Sequence, residues 1–277
     1  MINFDDAISI EEGCSSSFVL DMNGMQVFYK TREKIVKKKI RKLDTLIKNI
    51  LHHRIVLKKY VNLNQGRKAL IEKEVKTWQL WKEKGIYVPD LIDYTDKEII
   101  FEYIPNSISF NRLLSNQFSM SKFEKFLEVY DQIRKVANKD KNLFLLHSDP
   151  HLGNFLYDPT KSKAIPIDSG IILNKRMSFS ELDITLVART LQSISELSTN
   201  TEHITKYVQK FKEILSNYDI ESLLSLNFEI PQFIKTCYAI REEIASRIKN
   251  RDKINILYNL EQFSNRYNSL IRPILEC

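Results

Sequence analysis

The feature that most constrains this chain is a spacing. In "LHSDPHLGNFLYDPTKSKAIPIDSG", Leu146 to Gly170, Asp149 stands five residues before Asn154, and Asp168 closes the next apolar run. "NFLYD" and "KAIPI" read as two strand-like pieces joined by a turn at "DPTKS". Folding them into a hairpin brings Asn154 and Asp168 to neighbouring strand ends, with Asp149 on the loop just before.

Those side chains define a chemistry. Asparagine and aspartate oxygens suit Mg²⁺, a hard ion that takes carboxylate, carbonyl, water and phosphate oxygens. A second carboxylate free of metal can accept a hydroxyl proton. Together these are the parts of phosphoryl transfer, in which the protein chiefly positions groups and neutralises charge.

The upstream residues fit the same chemistry. Residues 8–31 read as strands, with Asn23-Gly24 as a hairpin turn. A helix is expected from Arg67 to Lys84, ending at Gly85. Ile71, Val75, Trp78 and Trp81 form its apolar stripe, and Glu74 falls in the middle of them. A carboxylate on a buried face is costly unless a cation meets it. Lys30, at the end of the strand "VFYKT", supplies that cation. Strands follow up to Tyr94 and over Glu98 to Tyr103, then a helix over Lys122 to Asn138, and from about Ser180 the chain is helical. This order predicts an α+β fold. A strand lysine, a helix glutamate, Asp-x4-Asn and a strand-end Asp with Gly form the ordered kinase set.

With those motifs in place, the chain resembles the protein-kinase-like superfamily in its small-molecule and atypical branches. "DPH-x-GN" is similar to the loop of aminoglycoside-phosphotransferase-type kinases, UbiB-type kinases and lipopolysaccharide core heptose kinases. The UbiB likeness stops at the loop, since no Lys-x-Gly-Gln motif occurs. The preferred resemblance is to the lipopolysaccharide core heptose(II) kinase family, from about Lys30 to Leu191, carried also by "EKEVKTWQLWKEKGIYVPDLI" and the Asp-led helix "ELDITLVART".

The resemblance implies a bilobal protein-kinase-like fold. Its N-lobe is an antiparallel sheet plus helices over 1–104, with a basic helical insert at about 33–61. A mostly helical C-lobe over 105–277 holds the catalytic loop 147–154 and the metal-binding residues 168–170. It implies ATP and Mg²⁺ as cofactors. Lys30 contacts the α- and β-phosphates and is held by Glu74. Phe101, Glu102, Tyr103 and Ile104 form the adenine hinge, and Gly13, Ser15, Ser16 and Ser17 the phosphate loop. Asp149 orients or deprotonates the acceptor hydroxyl, His147 and Asp183 brace the loop, and Asn154 and Asp168 bind Mg²⁺. Two departures stand out. "EEGCSSSFV" has one glycine where kinases have three, so serine hydroxyls and backbone N–H groups must cradle phosphate. "IDSG" has Ser169 where protein kinases have Phe, and no Ala-Pro-Glu follows. That favours a small or glycan acceptor over a peptide.

Charge is concentrated in one place. Lys34 to Lys59 contains ten Lys or Arg and one acid, Asp44, so it carries +9 of a net +7 and the rest sums to −2. Val36, Ile40, Leu43, Ile47, Ile50 and Leu57 give this segment a helical apolar face. Its basic face is either a solvated surface or a patch for an acidic partner, such as an anionic membrane. A nucleic-acid partner is not expected, because the basic residues lack interleaved aromatics. His52-His53 has no acidic or cysteine companion and reads as no metal site; His151 reads equally as loop scaffold or participant. No run approaches the ~20 apolar residues of a membrane span. The acidic start lacks signal-peptide character, and three scattered cysteines fit a reducing compartment. A cytoplasmic kinase, peripheral at the inner membrane, is expected. The rival functions are an atypical serine/threonine protein kinase, including an effector or KEOPS-like kinase, and a nucleotide-binding pseudokinase.

Overall fold

The computed structural model describes residues 8–10, 16–22, 24–31, 67–170, 173, 177–198, 200–226 and 256–277. The expected basic helix at 34–59, Gly13 and Ser15 lie outside these residues, and Ser16 and Ser17 are described as strand backbone only. Contacts divide the chain into two compact units. The described residues of the first lie within Met1–Val36, Asn64–Leu113 and Ser121–Leu173; those of the second lie within Leu114–Met120 and Asn174–Cys277.

In the first unit, five antiparallel strands form one sheet: β1 (Ile8–Ile10), β2 (Ser16–Met22), β3 (Met25–Thr31), β4 (Leu91–Tyr94) and β5 (Glu98–Glu102), in the order β1-β2-β3-β5-β4. The β2–β3 turn needs a left-handed residue, and Gly24 supplies it with φ 81° while its N–H donates to Asp21 Oδ1 at 2.7 Å. Alternation along β3 turns Val27 and Tyr29 onto a core shared with Leu20 and Ile100. Lys30, one residue on, projects from the opposite face, paired in register with Ile99 of β5.

Helix α1 (Arg67–Glu83) buries Ile71, Val75, Trp78 and Trp81, the stripe expected from the sequence. It ends in a Schellman arrangement: Ile86 N–H donates to Trp81 O at 2.9 Å, Gly85 N–H donates to Lys82 O at 3.0 Å, and Gly85 takes φ 74°. The two indoles anchor the helix through their N–H groups, Trp78 to Pro89 O at 2.8 Å and Trp81 to Leu145 O at 2.9 Å. The second bond ties α1 to the residues that lead into the Asp149 loop.

Then follow β6 (Ile108–Ser109), α2 (Phe110–Asn116), α3 (Met120–Asp140), a short 3₁₀ turn (Leu152–Asn154), β7 (Phe155–Asp158) and β8 (Lys163–Pro166). The hairpin β7–β8 is the one expected from the sequence, and β6 adds a third strand in the order β6-β7-β8. It packs on α3, where Phe126 meets Phe155 edge-on at 4.9 Å between ring centres.

The second unit is helical: α4 (Phe179–Ser195), α5 (Thr201–Lys212), α6 (Asn217–Leu224), α7 (Ile256–Arg266), a π turn (Tyr267–Ile271) and α8 (Arg272–Glu276). Ser178 with Glu181 and Ser216 with Asp219 form capping boxes that start α4 and α6. Leu182, Leu186, Val187, Leu191 and Ile194 of α4 are buried, each worth about 1.5–3 kcal/mol relative to exposure. Antiparallel sheets first and helices last make this an α+β chain, as its residue pattern predicts. No described helix is long and apolar enough to cross a membrane.

Candidate active site

Lys30 is the basic partner that Glu74 requires. Its Nζ donates to Glu74 Oε1 at 2.8 Å, with Lys30 5% and Glu74 1% exposed. The same ammonium also bonds Asp168 Oδ1. Three residues separated by up to 138 positions are thus joined through one cation.

Asp168 is placed by the hairpin. Ile167 N–H donates to Asn154 O at 2.9 Å, extending the β7–β8 ladder by one pair beyond Phe155 and Pro166. Asp168 comes next, with φ 63°, in the left-handed region that Asp tolerates better than most residues. The twist leaves its side chain 45% exposed while still reaching Lys30.

The loop before β7 is closed by its own groups. His151 N–H donates to Asp149 O at 2.9 Å, and Asn154 N–H donates to His151 O at 2.8 Å. Asn154 Nδ2 donates to Asp149 O at 2.9 Å. Because that bond requires the amide NH₂, it fixes the amide's orientation and leaves Oδ1 as the oxygen donor. His147 is buried between the Trp81 and Phe155 rings, 5.5 and 4.8 Å away, and its Nδ1 accepts the Asp149 N–H at 3.2 Å. Burial pushes its pKa down to about 4, so the ring is neutral at pH 7. It acts as a cap on the loop.

These atoms fit a divalent ion held jointly with phosphate. Among the described residues no group of three or more His, Cys, Asp or Glu could hold a metal alone. Mg²⁺ characteristically takes one or two protein carboxylates and fills its sphere with phosphate and water. Asn154 Oδ1 and the half-exposed Asp168 carboxylate offer such a partial set.

In the expected hinge, Phe101 is buried and stacks on Trp78 at 4.3 Å. Glu102 N–H donates to Asp90 O at 2.8 Å, and Ile104 O accepts from Ser107 N–H at 3.3 Å through a turn with Asn106 at φ 58°. Tyr103 lies between them, half-buried. Asp183 is buried in α4, within the second unit.

Two groups escaped the sequence reading. Asp158, buried at the end of β7, accepts from Thr160 N–H at 2.8 Å, Thr160 Oγ1 at 2.6 Å and Tyr87 Oη at 2.9 Å. It shapes the hairpin that carries Asn154 and Asp168, and an Asp opening a Pro-Thr turn was the available signal. Lys73, beside Glu74, is buried with its Nζ 2.5 Å from Thr77 Oγ1 and 5.3 Å from the Phe144 ring centre. No periodicity marks a lysine next to a stripe as buried.

The sequence family described as "ABC1 atypical kinase-like domain" matches residues 10–182, well over half the chain. Among curated proteins no relative matches. A solved structure described as "WaaP in complex with acyl carrier protein" is similar over 87% of this chain and 88% of that one, with 12% identity and a TM-score of 0.42.

Proposed function

This chain belongs to the ABC1 atypical kinase-like domain family and is a kinase; we propose, from the likeness of its "DPH-x-GNF" loop to that of the lipopolysaccharide core heptose kinases, that it uses ATP and Mg²⁺ to phosphorylate a sugar hydroxyl, a heptose of lipopolysaccharide core. The observation that carries the reading is the joined set Lys30–Glu74–Asp168 beside the Asp149–Asn154 loop, all within one compact unit. Asn154 and Asp168 would hold Mg²⁺ together with ATP, where the ion would neutralise charge on the phosphates.

The chain's own residues do the rest. Lys30, oriented by Glu74, meets the α- and β-phosphates. Asn154 Oδ1 and Asp168 hold the metal. Asp149 orients the acceptor hydroxyl and receives its proton, and His147 fixes the backbone N–H of Asp149. The backbone from Glu102 to Ile104 meets adenine, with Phe101 behind it. The serine-rich segment with Gly13, Ser15, Ser16 and Ser17 cradles phosphate. The lobes divide near residue 104, and the basic segment 34–59 meets anionic lipid at the cytoplasmic face of the inner membrane.

A glycan acceptor is supported by "IDSG". Ser169 is fully buried, and no Ala-Pro-Glu follows to build a peptide platform. The test is transfer of γ-labelled phosphate from Mg·ATP to purified lipopolysaccharide core or to a protein mixture, beside Asp149→Ala. Label in the glycan, lost in the variant, is expected. Label in protein alone overturns the acceptor in favour of an atypical protein kinase. No transfer with nucleotide still bound favours a pseudokinase or an acceptor outside the assay.

A further inference from the structure

His151 and Gly153 work as one device on Asp149. His151 Nδ1 accepts the Gly153 N–H at 3.1 Å, so the proton of the neutral ring sits on Nε2. Nε2 lies 3.6 Å from Asp149 Oδ2. That is just outside hydrogen-bond range, and catalytic contacts are commonly long before substrate tightens them. Asn154 holds the Asp149 carbonyl, whereas His151 addresses the carboxylate itself.

The glycine explains how the ring gets there. A Cβ at Gly153 would stand 2.8 Å from His151 Cε1 and 2.9 Å from Nδ1, closer than real side chains approach. Gly153 has no left-handed φ, so its backbone does not itself demand glycine. The space beside its Cα is filled by the imidazole. This glycine serves a side chain two residues earlier.

We propose that His151 is a positioning residue that aims the Asp149 carboxylate through Nε2–H, and that Gly153 is glycine to admit the imidazole. The inference rests on Asp149 as the group that receives the acceptor proton. In Mg·ATP turnover, His151→Ala lowers kcat by about tenfold to hundredfold, the scale of a small misplacement. KM for ATP stays within about twofold, because the nucleotide contacts are untouched. His151→Gln, which keeps an N–H donor, recovers part of the loss. Gly153→Ala displaces the ring and gives a similar fall in kcat.

The discriminating step is the double variant. With the ring gone, Gly153→Ala adds nothing to His151→Ala. Equal cost of Gly153→Ala in both backgrounds overturns the proposal, as does a rise in KM at unchanged kcat. Ring ¹⁵N shifts of the full chain provide a second readout independent of turnover. An unprotonated Nδ1, with an Nε2 signal that moves in Asp149→Asn, is expected. A protonated Nδ1, or no shift in that variant, sinks the proposal even where a variant folds poorly. Wild-type protein that shows this ring signature yet transfers no phosphate removes the reading of Asp149 as base, while the ring's orientation stands.

Discussion

Lys30 Nζ stands 2.8 Å from Glu74 Oε1 with both side chains almost wholly withdrawn from water, and it bonds Asp168 as well. Removing the cation leaves a buried carboxylate without it. Lys30→Met is therefore expected to lower unfolding free energy by about 3–5 kcal/mol, and Glu74→Gln by less, because Lys30 keeps Asp168. Urea unfolding of the two variants checks the order. A larger loss in Glu74→Gln contradicts it.

His147 makes the protein acid-sensitive. Its folded pKa is pushed down to about 4 from an ordinary 6.5, chiefly by burial. Between those values the unfolded chain binds the extra proton, so stability rises with pH across that window and is lost on acidification from 6.5 toward 4. Below about 4 this group adds no further loss. The difference in urea midpoint between wild type and His147→Gln is expected to change across pH 4–6.5 and to be flat above it.

Lys73 acts at the alkaline end. Burial pushes its pKa down to about 7 from 10.5, with Glu74 opposing the shift. The unfolded lysine stays protonated between those values, so the wild type gains stability as pH rises from 7 toward 10.5. Lys73→Met lacks that slope. It is expected to be the more stable protein at pH 6, by an amount that shrinks toward pH 10. Thermal melts of both proteins at the two pH values measure it.

The Asp158 carboxylate satisfies two donors of its own turn and the Tyr87 hydroxyl. Asp158→Ala removes the buried acceptor that ties these part-buried donors together, and a total loss of about 1–3 kcal/mol is the expected scale. Tyr87→Phe removes only the outer partner and costs less. Equal losses in the two variants contradict this ranking.

Much of this was legible in the chain because the signals are local. Alternation and Asn23-Gly24 placed β2 and β3, the apolar stripe and Gly85 bounded α1, and "DPTKS" marked the hairpin. Glu74 on the stripe demanded a cation, and that requirement led across 44 residues to Lys30. Short elements were missed. β6 has two residues and α2 has seven, too few for a period to show, and they form through packing on β7 and α3. The fit of His151 against Gly153 was also hidden, because a glycine's reason lies in the neighbour that fills its space. No motif in the chain names the sugar.

The most direct test of the account compares wild type with Asp149→Asn in steady-state phosphotransfer from Mg·ATP, with nucleotide affinity measured alongside. Loss of a positioned base is expected to lower kcat by about 10²–10⁴-fold. Affinity for Mg·ATP should stay within about twofold, since Lys30, Asn154 and Asp168 are intact. Turnover of Asp149→Asn at the wild-type rate would contradict the assignment of this loop as the catalytic one.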